Sequence, residues 1–296
     1  DGVNSGTNAL FTAIGALGIK TGSEVIVPAI TDVGGVTPVI YQYLIPVMAD
    51  INPMSYNISA EQIEPLINQN TRAIIVAHIS GEPAEIEPIL KLAKKNDLFV
   101  IEDCSQSPGA EYHGKKVGLF GDIAIFSTMS SKHHCTGGQG GVVFSTNEKY
   151  IEKSKQIADR GKQYKDGRPT GENIEMGLNC NMDELSAAIG VAQIKKLPKI
   201  INSTHRIGEL VKSSLQENSI VASVGWQPRA TKCVYWFIRV KLDLERIRVD
   251  KKTFSNALAA EGIPVGDEYR TTPFEQPWYK SDKVKKILSS ISKKSL

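Results

Sequence analysis

Cysteine is scarce in this chain. There are four, Cys104, Cys135, Cys180 and Cys233, and no CxxC pair among them. That spacing argues against a disulfide framework or a structural zinc site and makes a reducing cytoplasm the expected setting. A charge excess of either sign is missing too. Lys and Arg number 35 against 32 Asp and Glu, a net +3, too small to draw the chain to nucleic acid or an anionic membrane. No apolar run approaches the roughly 18–20 residues of a membrane span. The opening DGVNSGTNAL has neither the basic nor the apolar stretch of a signal peptide. No repeat and no low-complexity tract interrupts the chain. What remains is a globular composition, 41% hydrophobic and 23% charged over 296 residues, enough for one large or two ordinary domains.

The first half alternates apolar runs with helical patterns. EVIVPAI (24–30), IPVMADI (45–51), AIIVAHI (73–79), LFVIEDC (98–104), DIAIFST (122–128) and GVVFST (141–146) read as strands. Residues 8–17, 60–67 and 85–95 read as helices between them. Buried strands separated by helices predict a mostly parallel sheet covered on both faces, with functional groups at the strands' carboxyl ends. His78, Asp103 and Ser127 stand at such ends. After residue 148 the pattern turns helical, with a long helix over 181–200 continuing past Pro198. WFIRVKL (236–242) then reads as a strand and residues 249–264 as a helix closed by Gly262. A smaller α+β part therefore begins near Leu197.

Three segments carry chemistry. Ser5-Gly6-Thr7 precedes an apolar-periodic helix, so its free amides can receive a phosphate, with Gly6 allowing close approach. An ordinary N-cap by Ser5 or Thr7 is the plainer account. In VIEDCSQ (100–106), Asp103 at a strand end can pair with a protonated ring nitrogen, a metal or a ribose, or can simply cap the next helix; Gln106 can reach the same ligand. In FSTMSSKHHCTGGQGG (126–141), Ser127 closes a strand and Lys132 lies in a Gly-rich loop where desolvation frees its amine for Schiff-base chemistry. His133 and His134 add proton-transfer candidates. No further ligand pair supports a metal there. Taken together, amide donors for a phosphate, a carboxylate for a ring nitrogen and a lysine for an aldehyde are what a pyridoxal-phosphate (PLP) enzyme needs.

Here the sequence resembles the DegT/DnrJ/EryC1/StrS family of PLP-dependent sugar aminotransferases. SGTNAL (5–10), GSEVIVPAITDV (22–33), the long run VIEDCSQSPGAEYHGKKVGLFGDIAIFS (100–127) and NCNMDELSAAIGVAQIKKL (179–197) carry the likeness. The resemblance implies a fold-type-I large domain over 1–196, α/β with a mostly parallel seven-stranded sheet, and a smaller α+β C-terminal domain over 197–296. It implies that an N-terminal segment before residue 1 and part of the C-terminal domain belong to the working protein. It makes Lys132 the Schiff-base lysine and proton shuttle and Asp103 the partner of the pyridinium nitrogen, with Gln106 against the ring. Gly6, Thr7 and Ser127 would grip the phosphate, and Asn179 the phosphate of a neighbouring subunit in a homodimer. The implied activity is ping-pong transfer of an amino group from glutamate or glutamine to a keto-sugar, usually nucleotide-linked.

Four positions depart from the family pattern. Asp32 replaces an aromatic, so it would orient the ring or touch substrate instead of stacking. Asn181 replaces the Arg of NYRM, and Gln139 the acid of GEGG. The fourth is register. Counted forward from Ser127, Lys132 is the Schiff-base position; counted back from GQGG (138–141), that position is His133. Relatives with histidine there are sugar 3-dehydratases. The strand fixes the upstream register while a Gly-rich loop absorbs an added residue, which favours Lys132 and an aminotransferase. A dehydratase and a non-catalytic PLP-fold sensor are the alternatives. A nucleotide-binding Rossmann protein is a weak one, because no GxGxxG follows a strand. His78 is read either as a pocket residue or as a hydrogen-bonded structural histidine. Tyr269 and Arg270 fall where family members present the small domain to the site. Trp226, Tyr235 and Trp236 read as small-domain packing.

Overall fold

A computed structural model describes residues 1–225, 231–267, 269 and 272–294. Fourteen strands are found among them: β1 (Gly2–Val3), β2 (Glu24–Pro28), β3 (Ile45–Ala49), β4 (Thr71–Ala77), β5 (Phe99–Asp103), β6 (Glu111–Tyr112), β7 (Lys115–Lys116), β8 (Ile123–Ser127), β9 (Gly141–Phe144), β10 (Lys162–Lys165), β11 (Arg168–Asn173), β12 (Val221–Val224), β13 (Thr231–Lys232) and β14 (Val240–Leu242). The helices are α1 (Gly6–Ala16), α2 (Thr37–Tyr41), α3 (Ala60–Ile63), α4 (Ile86–Lys95), α5 (Glu148–Ala158), α6 (Glu184–Ile194), α7 (Leu197–Gln216), α8 (Lys251–Ala260), α9 (Pro277–Lys280) and α10 (Asp282–Lys294).

Seven strands form one sheet in the order β1-β9-β8-β5-β4-β2-β3. The five from β8 to β3 run parallel, and β9 pairs antiparallel with both β8 and β1. Successive strand residues face opposite sides, and the apolar runs use both. Val25, Val27, Ala73, Ile75, Ile101, Ile123 and Ile125 pack with Ala9, Leu10, Ala13 and Ile14 of α1. Ile26, Ile74, Val76 and Val100 pack with Ile86, Ile89, Leu92 and Ala93 of α4. Every strand expected in the first half is present, and so is the mostly parallel seven-stranded sheet.

The later elements are shorter than their patterns. The helix expected over 181–200 starts at Glu184, where Asp183 accepts the Ser186 amide at 2.8 Å, and breaks after Ile194 before α7 resumes. WFIRVKL supplies only the three residues of β14. Tyr235 has φ +46°, a conformation a strand does not use, and residues 234–236 bond to a tight turn of the large sheet instead: Val234 N donates to Gly81 O and Trp236 N to Ser80 O, both at 2.9 Å. That turn needs left-handed backbone at Ser80 and Gly81 (φ +59° and +86°), and a Cβ on residue 81 would stand 2.6 Å from the Tyr235 nitrogen. In addition β13 pairs with β6, forming a three-stranded ribbon β13-β6-β7. No helix among the described residues is long and apolar enough to cross a membrane.

Candidate active site

The sheet's parity decides which side chains meet. Asp103 and Ser127 share the parity of Ile101 and Ile125, so they stand on the α1 face at the carboxyl ends of β5 and β8. Because β1 runs parallel to β8, α1 begins at this same edge. Ser5 caps it, its Oγ accepting the Asn8 amide at 3.1 Å. The amides of Gly6 and Thr7 find no acceptor among the described residues. The packing is close. A Cβ on residue 6 would lie 2.7 Å from the Ser127 Cβ, and one on residue 141 would lie 2.3 Å from the Ser5 carbonyl oxygen. Gly141, the last residue of GQGG, is what lets β9 pass under the helix start.

The other predicted residues surround this edge. Asp103 accepts the Ser105 amide at 3.0 Å, and Ser105 Oγ accepts the Ser127 amide at 3.1 Å. Gln106 is buried; its Oε1 accepts the Ser80 amide at 2.6 Å and its Nε2 donates to the Tyr269 hydroxyl at 3.3 Å. Asp32 turns back on its own backbone, accepting the Gly34 amide at 2.9 Å. Thr7 lies against the same turn, since a Cβ on Gly34 would stand 2.4 Å from its Oγ1. Trp226 and Arg270 lie outside the described residues.

In the lysine loop the two register candidates are engaged differently. Lys132 Nζ lies 3.5 Å from the centroid of the Trp236 ring. The His133 ring contacts the same segment through its nitrogen, Nε2 donating to Val234 O at 3.1 Å. Burial pushes the His133 pKa down, so it rests neutral; its Nδ1 is buried with no hydrogen bond. His134 Nε2 is 3.1 Å from Gly190 O. Trp236, which reads in the sequence as packing, therefore packs on the lysine loop. Its indole N–H also donates to Ser131 O at 3.1 Å. No local signal marks it, because the contact spans about a hundred residues.

His78 is the structural histidine of the two readings. It is 1% exposed and lies behind the sheet on the α4 face, with Nδ1 accepting the Ala84 amide at 3.0 Å and Nε2 donating to Glu102 at 3.2 Å. Glu102 also accepts amides from Gly118, Phe120 and Gly121 at 2.6–2.7 Å. Burial alone would raise its pKa, but the His78 contact and these amides outweigh it and hold the carboxylate below its usual range. Cys104 completes a tight His-Glu-Cys group. Burial pushes its thiol well up, so the group works as a hydrogen-bond hub behind Asp103.

A second carboxylate organises the Asn179 segment. Asp159 is 5% exposed and accepts from Arg160 at 2.6 Å, Tyr164 Oη at 2.7 Å, Lys162 at 2.9 Å and Asn181 Nδ2 at 3.0 Å. Burial opposes ionisation, yet these four donors together hold the carboxyl far below its usual range. Asn181 Nδ2 also donates to Asn179 Oδ1 at 3.1 Å. The residue that replaces the family's arginine thus ties Asn179 to Asp159.

A helix start, a strand-end carboxylate and a lysine loop meeting on one edge of such a sheet define a class, the fold-type-I PLP-dependent transferases. The amides without acceptors at Gly6 and Thr7, and the glycine-lined approach between them and Ser127, fit the cofactor's phosphate. Among solved structures, an aminotransferase from Psychrobacter cryohalolentis superimposes with a TM-score of 0.85 at 23% identity, covering 98% of this chain and 79% of that one. A GDP-4-keto-6-deoxymannose-3-dehydratase, ColD, does so at 0.79 and 25%, covering 88% and 72%. A curated relative, the GDP-perosamine synthase of Vibrio cholerae, is 35% identical over 82% of this chain. This chain spans 65% of that relative's length. The DegT/DnrJ/EryC1/StrS aminotransferase family profile matches residues 2–292, and the chain belongs to that family. Pyridoxal phosphate is the cofactor of the family and of its structural neighbours.

Proposed function

We propose that the protein containing this chain is an aminotransferase that moves an amino group from glutamate or glutamine to a keto-sugar carried on a nucleotide. The observation that carries the aminotransferase reading is the different engagement of Lys132 and His133. The lysine rests its amine against the face of the Trp236 ring, while the histidine is neutral and tied to the Val234 carbonyl. This geometry favours Lys132 over a histidine-dependent dehydration. The keto-sugar and its nucleotide rest on the family likeness and on the relative's substrate.

When bound, the cofactor supplies an aldehyde that takes up an amine and a ring that withdraws electrons. In this reading Gly6, Thr7 and Ser127 bind its phosphate through amides and a hydroxyl. Asp103 keeps a proton on the ring nitrogen. Gln106, fixed between Ser80 and Tyr269, bounds the ring, and Asp32 shapes the turn beside Thr7. Lys132 Nζ would be the amine that holds the aldehyde, and as a free amine it would move the donor's α-proton. His133 orients the loop through Val234.

The same reading makes residues 1–196 the cofactor part and 197–296 the smaller substrate-side part, and makes the protein a cytoplasmic homodimer. Support for the dimer comes from α6, an apolar helix with Leu185 79% and Val191 61% exposed. Asn179 would then serve a neighbouring subunit's phosphate. Four free thiols accord with a reducing compartment.

The test is spectroscopic. With pyridoxal phosphate the protein turns yellow, borohydride fixes the cofactor, and mass spectrometry finds the adduct on Lys132. Adding glutamate or glutamine then discharges the visible band. A cofactor that binds without attaching to Lys132, or a band that neither donor discharges, overturns the reading.

A further inference from the structure

The Lys132–Trp236 contact goes further than the family pattern. Lys132 sits in the loop between β8 and β9, and Trp236 comes from the chain just after β13. Three contacts join these segments. The Trp236 indole donates to Ser131 O, His133 donates to Val234 O, and the Lys132 ammonium lies 3.5 Å over the Trp236 ring. The backbone of 234–236 is itself pinned to the Ser80–Gly81 turn. That turn also presents its Ser80 amide to Gln106 and its Ser80 hydroxyl to Arg239 Nε at 2.8 Å. Arg239 in turn pairs with the buried Glu82 at 2.5 Å. The indole is therefore held on a rigid support built from both halves of the chain.

We infer that Trp236 is a positioning residue that seats the Lys132 ammonium whenever the lysine is not covalently engaged. An indole face attracts an ammonium and not a neutral amine. The seat thus has a chemical bias: it holds the side chain as a cation at one place and gives it up when the nitrogen loses its proton. A lysine that must repeatedly leave and return needs a defined waiting position, and a flexible four-carbon stem has none of its own. The seat stands on contacts of this chain alone. Its use during a catalytic cycle rests on the function proposed above.

The test uses the cofactor-free full chain and an amine-acylating reagent, with labelling of Lys132 measured by mass spectrometry against exposed lysines such as Lys91. In Trp236→Leu, Lys132 labels about 2- to 30-fold faster, which is a cation–π contact of roughly 0.5–2 kcal/mol expressed as a rate ratio. Trp236→Phe keeps a ring and falls between the two. Pyridoxamine phosphate, which needs no lysine, binds all three proteins equally. That control shows that the site is folded in the variants. Equal Lys132 labelling in all three proteins overturns the inference. So does a Phe variant that labels like the Leu variant, since that reports a structural role for the indole N–H. If unmodified protein binds neither form of the cofactor while its labelling ratio holds, the functional reading fails and the seat stands.

Discussion

Gly6 and Ser127 meet where the first helix opens onto the sheet, so close that a Cβ on the glycine would stand 2.7 Å from that of the serine. The neighbour it would strike is a short side chain on a sheet strand, with little freedom to move. Gly6→Ala should therefore weaken pyridoxal phosphate binding by about 5- to 150-fold, an overpacking cost of about 1–3 kcal/mol. Titration of the visible band measures this. The fold itself should survive, because the strain falls at the helix start and not in the core behind it.

Lys132→Ala should abolish borohydride trapping, whereas His133→Ala should leave it in place. The histidine variant loses one hydrogen bond to Val234 and should unfold at lower urea, with a loss of about 1 kcal/mol. Peptide mapping of the reduced protein separates the two outcomes.

Glu102 predicts an acid limit to stability. Its carboxylate is held below the ordinary glutamate value of 4.5 in the folded chain. A lowered folded value means that its contribution is complete above about pH 4.5 and is lost as pH falls through the folded value. Urea midpoints between pH 6 and pH 3 should therefore drop. Glu102→Gln should be less stable at pH 6 and should show a shallower fall, because it has no carboxylate left to protonate.

Tyr164 reports on the Asp159 cluster. Burial and its hydrogen bond to Asp159 push the phenol up to about 12. A phenol raised in the folded state contributes stability below its ordinary value of 10, and that contribution is lost as pH rises through about 12. An ultraviolet titration should show Tyr164 among several late-ionising tyrosines, and Asp159→Asn should bring one of them earlier. The same variant frees Arg160, Lys162 and Asn181, so trypsin should cut the 160–173 hairpin faster.

Leu185→Glu tests the exposed helix. If α6 pairs two subunits as proposed, charge on its apolar face destabilises the pair and not the subunit. Sedimentation should show dimers giving way to monomers, with the melting temperature of the isolated chain little changed.

The sequence displayed the sheet well, because each apolar run was continuous and the central strands β2, β4 and β5 are buried on both faces. Asp103 and Ser127 were legible for the same reason: strand ends are marked by where the apolar run stops. His78 stopped a run too, yet it lies behind the sheet, since one residue of register decides the face. Trp236 was hidden differently. Its run promised a strand, but a left-handed Tyr235 breaks the pleat and redirects the chain toward the lysine loop. Only contacts far apart in sequence make that turn favourable, and no local pattern records them.

The ribbon of β13 with β6 bears on mechanics. In the division proposed above Leu197 is the boundary, but load does not pass through that point alone. Thr231 and Lys232 are stitched to Tyr112 and Glu111, and residues 234–239 are held by the Ser80–Gly81 turn and Glu82. A body held at several separated points cannot swing on any one of them. Any closing motion must twist the ribbon or flex within the smaller part, and a backbone nick at Lys195–Lys196 would leave the two fragments joined.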